Sequence, residues 1–278
     1  MDIKNQVEFQ ILDETEDFLA VDKPAGLLVH PTKPGGPRTL WNELCELLGY
    51  ELATGGQVSI VNRLDRETSG VLLVAKNAQA ARAAGIAMQR GAIRKEYVAL
   101  VFGWPEWDEQ RVEGPILRLG EIGPSSVWLE RTVHPHGAPA VTRFRVERRL
   151  SLPQDRRFSV LTAWPQTGRT HQIRVHLASA GFPLLGDKIY ARGNHHYLDF
   201  IDRGWSEEIA AELWLPRHAL HSAKLFLDLC GRKFVWTSGL PADLSALIGD
   251  APGVVAEQAG AKTAGATPTA SSATTHSS

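Results

Sequence analysis

The chain reads as an α+β protein, a mixed and mostly antiparallel sheet flanked by helices and loops. Three observations carry that reading. Runs rich in β-branched and aromatic residues recur at 58–61, 71–74, 93–103, 140–150 and 158–164, set apart by Gly, Pro and polar clusters, as strands separated by turns are. Strands that follow one another from 127 to 164 imply antiparallel pairing, because no helical segment intervenes to make a crossover. Only a few segments, chiefly 39–48, 77–90 and 170–180, show the apolar spacing or composition of a helix.

Taken in order, residues 7–12 and 18–22 are expected as short strands. Pro24 and Gly26 mark a turn, 27–30 continues extended, and 31–37 is a Pro/Gly-rich loop. Thr39 is a suitable N-cap for a helix with Leu40, Leu44, Leu47 and Leu48 on one face and Gly49 as its stop. Between the apolar runs 58–61 and 71–74 lies the polar stretch Asn62-Arg63-Leu64-Asp65-Arg66-Glu67-Thr68-Ser69-Gly70. Rigid strands on both sides would hold such a loop firmly, and loops so held carry function disproportionately often. Taken alone, Asp65 and Arg63 read better as turn residues making local hydrogen bonds; the surrounding pattern reverses that preference.

Asn77 opens an Ala-rich helix through Arg90 that Gly91 ends. Residues 93–103, with Tyr97 among them, form a strand, as do 127–133, 140–150 and 158–164. The helix 170–180 places Ile173, Leu177 and Ala180 on one side and His171, Arg174 and Ala178 on another, and it stops at Gly181 and Pro183. Residues 184–215 are irregular and expected as loops with one short helix at most. Two closing strands, 218–227 and 233–237, and a helix 241–248 with Pro241 at its first position complete a domain at 1–250. Residues 251–278 are mostly Ala, Gly, Thr and Ser with almost no large apolar residue; such a tail cannot bury enough apolar surface to offset its ordering entropy and is expected to be disordered.

Composition narrows the classes. Two cysteines far apart, Cys45 and Cys230, argue against a disulfide framework and a structural zinc site, and make a reducing cytoplasm the simplest compartment. The first residues lack the basic and apolar pattern of a signal peptide, and no run is long enough to span a bilayer. Thirty Lys and Arg against 31 Asp and Glu give a formal net charge of −1, which by itself speaks against binding phosphate. Charge is nevertheless uneven: seven arginines between 131 and 157 face only Glu147 and Asp155, which is either a local positive face or a solvated sheet face. His218 and His221, on opposite faces of a strand, have no nearby Cys or acidic partner to complete a metal site, and none is expected.

Four stretches together resemble the RluA-type RNA pseudouridine synthases: Val21-Asp22-Lys23-Pro24-Ala25-Gly26, the Asp65 stretch, Arg94-Lys95-Glu96-Tyr97, and Thr167-Gly168-Arg169-Thr170-His171-Gln172-Ile173-Arg174-Val175-His176. They occur in the family's order, and the resemblance spans roughly 18–227. The resemblance implies isomerisation of a uridine in RNA to pseudouridine, in a tRNA or rRNA stem-loop, without metal or other cofactor. It implies Asp65 as the essential catalytic residue, ionised near neutral pH as an ordinary Asp is, Arg174 as its partner, and Tyr97 against the target base. Ile173 would pack on the base, and Arg63 would enter the RNA stack as the nucleotide leaves it. The residues alone leave plainer alternatives for each: an exposed helix arginine, a packing tyrosine, a core isoleucine.

The chain departs from the family pattern at Asn62, where a His is usual. It also shows no accessory S4-type RNA-binding domain ahead of the catalytic motifs, so a stand-alone, monomeric catalytic domain is expected. Two other functions fit parts of the pattern. One is an RNA-binding protein without catalysis; the other is a glycosidic-bond hydrolase, for which Glu67 lies too near Asp65 in sequence to be an obvious second carboxylate.

Overall fold

The structure is a computed structural model that describes residues 9–249 and 255–257. Strands β1 (Gln10–Glu14) and β2 (Phe18–Lys23) form an antiparallel hairpin; the first expected strand is thus displaced toward the turn, and residues 7 and 8 lie outside the described part. Residues 27–30, expected to continue extended, form no strand and bend at Val29 and His30, yet Leu27 and Val29 are buried. Helix α1 (Leu40–Leu47) begins at the expected cap, where the backbone N–H of Thr39 donates to the Asn42 carboxamide at 3.0 Å. Leu40, Leu44 and Leu48 are buried, but Leu47 is largely exposed. Gly49 does not stop the helical path; it opens a short turn of helix, α2 (Gly49–Ala53), and Leu47 lies on the flank that this second helix leaves uncovered.

Strand β3 (Ser59–Ile60) is only a two-residue pairing against β4 (Ser69–Ala75), which is buried throughout. A continuous apolar run of this kind is what a strand covered on both faces requires. Helix α3 (Ala78–Gln89) starts where Asn77 accepts the Ala80 N–H at 2.8 Å. Its buried Ala80, Ala84 and Ala87 are small enough to let the helix lie close on the sheet. Then come β5 (Ile93–Phe102), β6 (Glu109–Glu113), β7 (Ile116–Arg118), β8 (Arg131–Val133), β9 (Val141–Leu152) and β10 (Arg156–Pro165). The sequence pattern does not announce β6 and β7: β6 reads Glu-Gln-Arg-Val-Glu and is mostly exposed. Of the strand expected at 127–133, only the last three residues pair.

Helix α4 (Gln172–Ser179) is buried from Gln172 through Leu177, so its expected polar side faces other protein groups and not solvent. The stretch expected as loops holds two helices, α5 (His195–Arg203) and α6 (Glu207–Leu213). The cap of α6 is Ser206, which accepts from the Ile209 N–H. Strands β11 (Leu220–Leu229) and β12 (Arg232–Thr237) pair antiparallel, and in α7 (Ala242–Ile248) Pro241 is the cap residue preceding the first turn. β13 (Val255–Glu257) pairs its backbone with Ser151, Leu150 and Arg149 of β9; the rest of the tail expected to be disordered at 251–278 lies outside the described residues. The outer edge of β9 offers the unpaired N–H and C=O groups that invite such pairing.

The main sheet runs β1-β2-β4-β11-β5-β10-β9-β13, with β3 on β4, β12 on β11 and β6 on β9. All pairs are antiparallel except β4–β11, so the expected α+β architecture is the one observed. Alternation along β2 and β4 divides the core. Leu19, Val21, Leu72 and Val74 face the cluster containing Tyr97, Ile173 and Leu177, whereas Phe18, Ala20, Val71 and Leu73 face the alanines of α3 and Trp236.

The parallel step between β4 and β11 depends on Gly70. Its φ is +108°, and a Cβ there would lie 2.2 Å from the carbonyl oxygen of Ser222. Gly70→Ala is therefore expected to destabilise the fold by roughly 2–4 kcal/mol, combining left-handed strain with backbone displacement. A urea denaturation midpoint unchanged from that of the parent would refute this.

Candidate active site

The loop between β3 and β4 is fastened from several directions. Asn62 is buried; its amide nitrogen donates to the carbonyl of Val71 at 3.1 Å and its oxygen accepts the Leu73 N–H at 2.8 Å. A neutral side chain with one donor and one acceptor suits that position, which gives the departure at Asn62 a local function. Thr68 Oγ1 lies 2.7 Å from His218 Nε2 and Ser69 Oγ 3.0 Å from His221 Nδ1. His218 precedes β11, so the two histidines do not alternate across a strand as expected; both buckle the β4 end of the loop to β11.

Lys23 is fully buried at the end of β2. Its ammonium donates to the carbonyls of Pro24, Leu27 and Arg66 at 2.7, 3.0 and 3.1 Å, joining the Pro24–Gly26 turn to the Asp65 loop. Burial pushes Lys23 down to about 7, against the pull of the Asp65 charge. Arg66 closes the same junction, its Nε donating to the Gly26 carbonyl at 3.0 Å.

Asp65 is presented from this support with its side chain 25% exposed. Arg174 Nη1 donates to Asp65 Oδ2 at 3.0 Å, while Arg174 Nε and Nη2 fork onto Asp187 at 2.7 and 2.9 Å. One guanidinium thus bridges two carboxylates, using the planar donor geometry that Lys lacks. Asp187 is completely buried and also accepts the N–H groups of Ile189 and Tyr190 at 3.1 and 3.2 Å. Burial works to raise the Asp65 carboxyl, but the neighbouring His171 and Arg174, the latter also through its hydrogen bond, outweigh it, holding it below the ordinary carboxylate range. In Asp187 burial is likewise outweighed, chiefly by Arg174. An exposed helix arginine, the plain alternative for Arg174, is excluded: its side chain is 7% exposed.

Arg63, Asp65, Tyr97, Ile173 and Arg174 all line one cleft, together with Lys95, Gly168 and His171. The cleft has a cavity volume of about 100 Å³ and is open to solvent. Tyr97 comes from β5 and is buried; burial raises its phenol above the ordinary value, against a Ser222 hydrogen bond. Ile173, Leu64 and Leu220 supply buried apolar wall, and Arg63 is exposed at the mouth.

Sequence reasoning assigned no function to Asp187, Tyr190 or His171. The signal lay in Leu184-Leu185-Gly186-Asp187, an acid set after two leucines and a glycine in a stretch read as loop. Gly186 has φ +71°, and a Cβ there would lie 1.9 Å from the Arg217 carbonyl oxygen, so this turn packs hard against the segment before β11. The arginines of 131–157 resolve toward a solvated sheet face: Arg143, Arg145, Arg149 and Arg157 pair with Glu109, Glu147, Asp108 and Asp155.

Comparison with known proteins accords with this geometry. The family model described as RNA pseudouridylate synthase matches residues 17–179. The ribosomal large subunit pseudouridine synthase D of Nitrosomonas europaea is 35% identical over 247 residues, 87% of this chain and 65% of that protein. The chain therefore spans just under two thirds of that relative. The dual-specificity RNA pseudouridine synthase RluA of Vibrio vulnificus is 33% identical over 186 residues, 66% of this chain and 70% of that protein. Among solved structures, human RNA pseudouridylate synthase domain containing 4 superposes with a TM-score of 0.64 at 22% identity, covering 84% of this chain and 90% of that one; at that identity the likeness concerns the fold. With the family model covering more than half the chain and its fold shared with a solved relative, the chain belongs to the RNA pseudouridylate synthase family.

Proposed function

We propose that this chain converts a uridine within structured RNA to pseudouridine, with Asp65 as the reacting carboxylate. The observation that supports this most is the Asp65 carboxylate group held by Arg174 at 3.0 Å in the same cleft as Tyr97 and Ile173. The reaction breaks the bond between C1′ and N1, turns the base, joins C5 to C1′, and moves the C5 proton away while N1 gains one. It is redox-neutral within one nucleotide and calls for no cofactor. An enzyme acting on C1′ and C5 must take the nucleotide out of the stack, and the apolar wall beside Tyr97 suits an extruded pyrimidine ring.

Large-subunit ribosomal RNA, named for the Nitrosomonas relative, and tRNA are the substrates we favour. A hydrolase with Glu67 as second carboxylate has less support, because Glu67 is engaged by Lys188 at 2.7 Å and by the His218 N–H at 3.1 Å. Tritium release from RNA labelled at uridine C5 tests the proposal directly. Release with pseudouridine as product is expected; free uracil and an abasic site would favour the hydrolase, and binding without either product would leave an RNA-binding protein.

Arg63 is proposed to enter the stack in place of the departing nucleotide. Arg63→Ala is expected to lower kcat about tenfold or more through misplacement of the target base, with a much smaller change in RNA affinity. Equal losses in kcat and in a filter-binding Kd would argue against that role.

A further inference from the structure

Behind Asp65 lies a second polar chain that the reaction scheme above does not use. The phenol oxygen of Tyr190 accepts the backbone N–H of Arg131 at 2.9 Å and stands 2.8 Å from Nδ1 of His171. Among the described residues it makes no other hydrogen bond. Burial raises Tyr190 above its ordinary value, so the phenol keeps its proton near neutral pH, and among the described residues Nδ1 of His171 is the only acceptor placed to take it. Nδ1 therefore carries a lone pair.

The other ring nitrogen, Nε2, faces Asp65 Oδ2 at 3.8 Å. Burial, followed by the Arg174 charge, pushes His171 down to about 4, so the ring is neutral and has a single proton. With Nδ1 occupied as acceptor, that proton sits on Nε2 and points at the carboxylate. The opposite tautomer would strand the phenol proton in a buried site and aim an imidazole lone pair at an anion, two penalties of the same sign. Backbone geometry supports the arrangement: His171 has φ +58° at the start of α4, a conformation that turns its side chain off the helical path.

We infer that Tyr190, by setting the tautomer of His171, fixes the rotation of the Asp65 carboxylate so that Oδ2 is anchored and Oδ1 is the oxygen presented to the nucleotide. Oδ2 receives the Arg174 N–H and faces the His171 N–H, whereas Oδ1 accepts no hydrogen bond among the described residues. At 3.8 Å the imidazole N–H is a nearby dipole and not a hydrogen bond, so it biases orientation without taking up an oxygen lone pair. The turn that supplies Tyr190 also supplies Asp187, and the Arg174 guanidinium lies over the Tyr190 ring at 5.0 Å. A single turn thereby sets both groups that act on Oδ2. His171 and Tyr190 are positioning residues, and the inference rests on the reading of Asp65 as the reacting carboxylate.

The tautomer can be read without activity. In full-length protein labelled with 15N-histidine, long-range proton–nitrogen correlations near pH 7.5 are expected to show His171, assigned by loss of its signals in His171→Gln, with Nε2 protonated and Nδ1 bare. Tyr190→Phe is expected to populate the Nδ1–H form. An imidazolium or an Nδ1–H ring in the parent protein overturns the inference, as does an unchanged tautomer in Tyr190→Phe. In single-turnover assays Tyr190→Phe should slow the chemical step roughly tenfold or more with RNA KM nearly unchanged. His171→Gln, whose amide can replace the Nε2–H donor, should retain more activity than His171→Ala, and Tyr190→Phe should add no further loss on the His171→Ala background. Additive losses would mean that Tyr190 acts independently of His171 and would sink the proposal. Asp65→Ala run beside these separates the two levels: its retained activity would defeat the reading of Asp65, whereas a wrong tautomer with an inactive Asp65→Ala defeats only this inference.

Discussion

Asp65→Ala and Asp65→Asn are each expected to lower uridine conversion by on the order of 10⁴-fold or more, the scale seen when a reacting side chain is removed from a preorganised site. The loss should fall on the chemical step. Arg174 keeps its two-pronged contact with the buried Asp187 in either variant, and the loop is still held by Asn62, Lys23 and Thr68. The fold and the RNA affinity should therefore persist. Asp65→Asn is the sharper of the two, since it preserves volume and an acceptor for Arg174 while removing the charge. Single-turnover tritium release measures the effect; activity within tenfold of the parent would remove Asp65 from the reaction.

Asp187→Ala is expected to damage stability more than any other single change at the site, by about 3–5 kcal/mol, because it strips a buried cation of its best partner. Arg174 would retain only its bond to Asp65, and the N–H groups of Ile189 and Tyr190 would lose their acceptor. The effect should depend on pH with a defined sign. The folded-state carboxyl of Asp187 lies below its unfolded value, so its contribution is complete above the unfolded carboxylate range, about 4, and is lost as pH falls through the folded value. Urea unfolding of parent and Asp187→Asn should thus differ most at neutral pH and converge in acid. A gap that widens on acidification would contradict the assignment of Asp187 as the ionised partner of Arg174.

The two carboxylates on Arg174 differ in how visible they are in the amino-acid sequence. Asp65 stands in a polar stretch between two apolar runs and within a recognisable motif, so both local contrast and resemblance lead to it. Asp187 stands in a stretch whose lack of periodicity suggested loops, although it contains α5 and α6. Those helices are short, and α5 buries only His196, so the apolar spacing that reveals a core helix is missing. The opposite failure occurs at α4. Its polar residues suggested a solvated side, yet His171, Gln172, Arg174 and His176 are all buried because each is matched by a polar partner from a distant segment.

What the sequence by itself determined is what local physics can specify, strands from alternation and β-branching and helices from caps and apolar spacing, together with Arg63, Asp65, Tyr97, Ile173 and Arg174, which the family resemblance singled out. What only the tertiary structure decided is the pairing of buried charges and the direction of buried protons. Arg174 meets Asp65 across 109 positions of chain and Thr68 meets His218 across 150. No periodicity links residues so far apart. Their partnership follows from the requirement that every charge and donor taken out of water find its complement, and that requirement is met in three dimensions, after the sheet has brought the segments together.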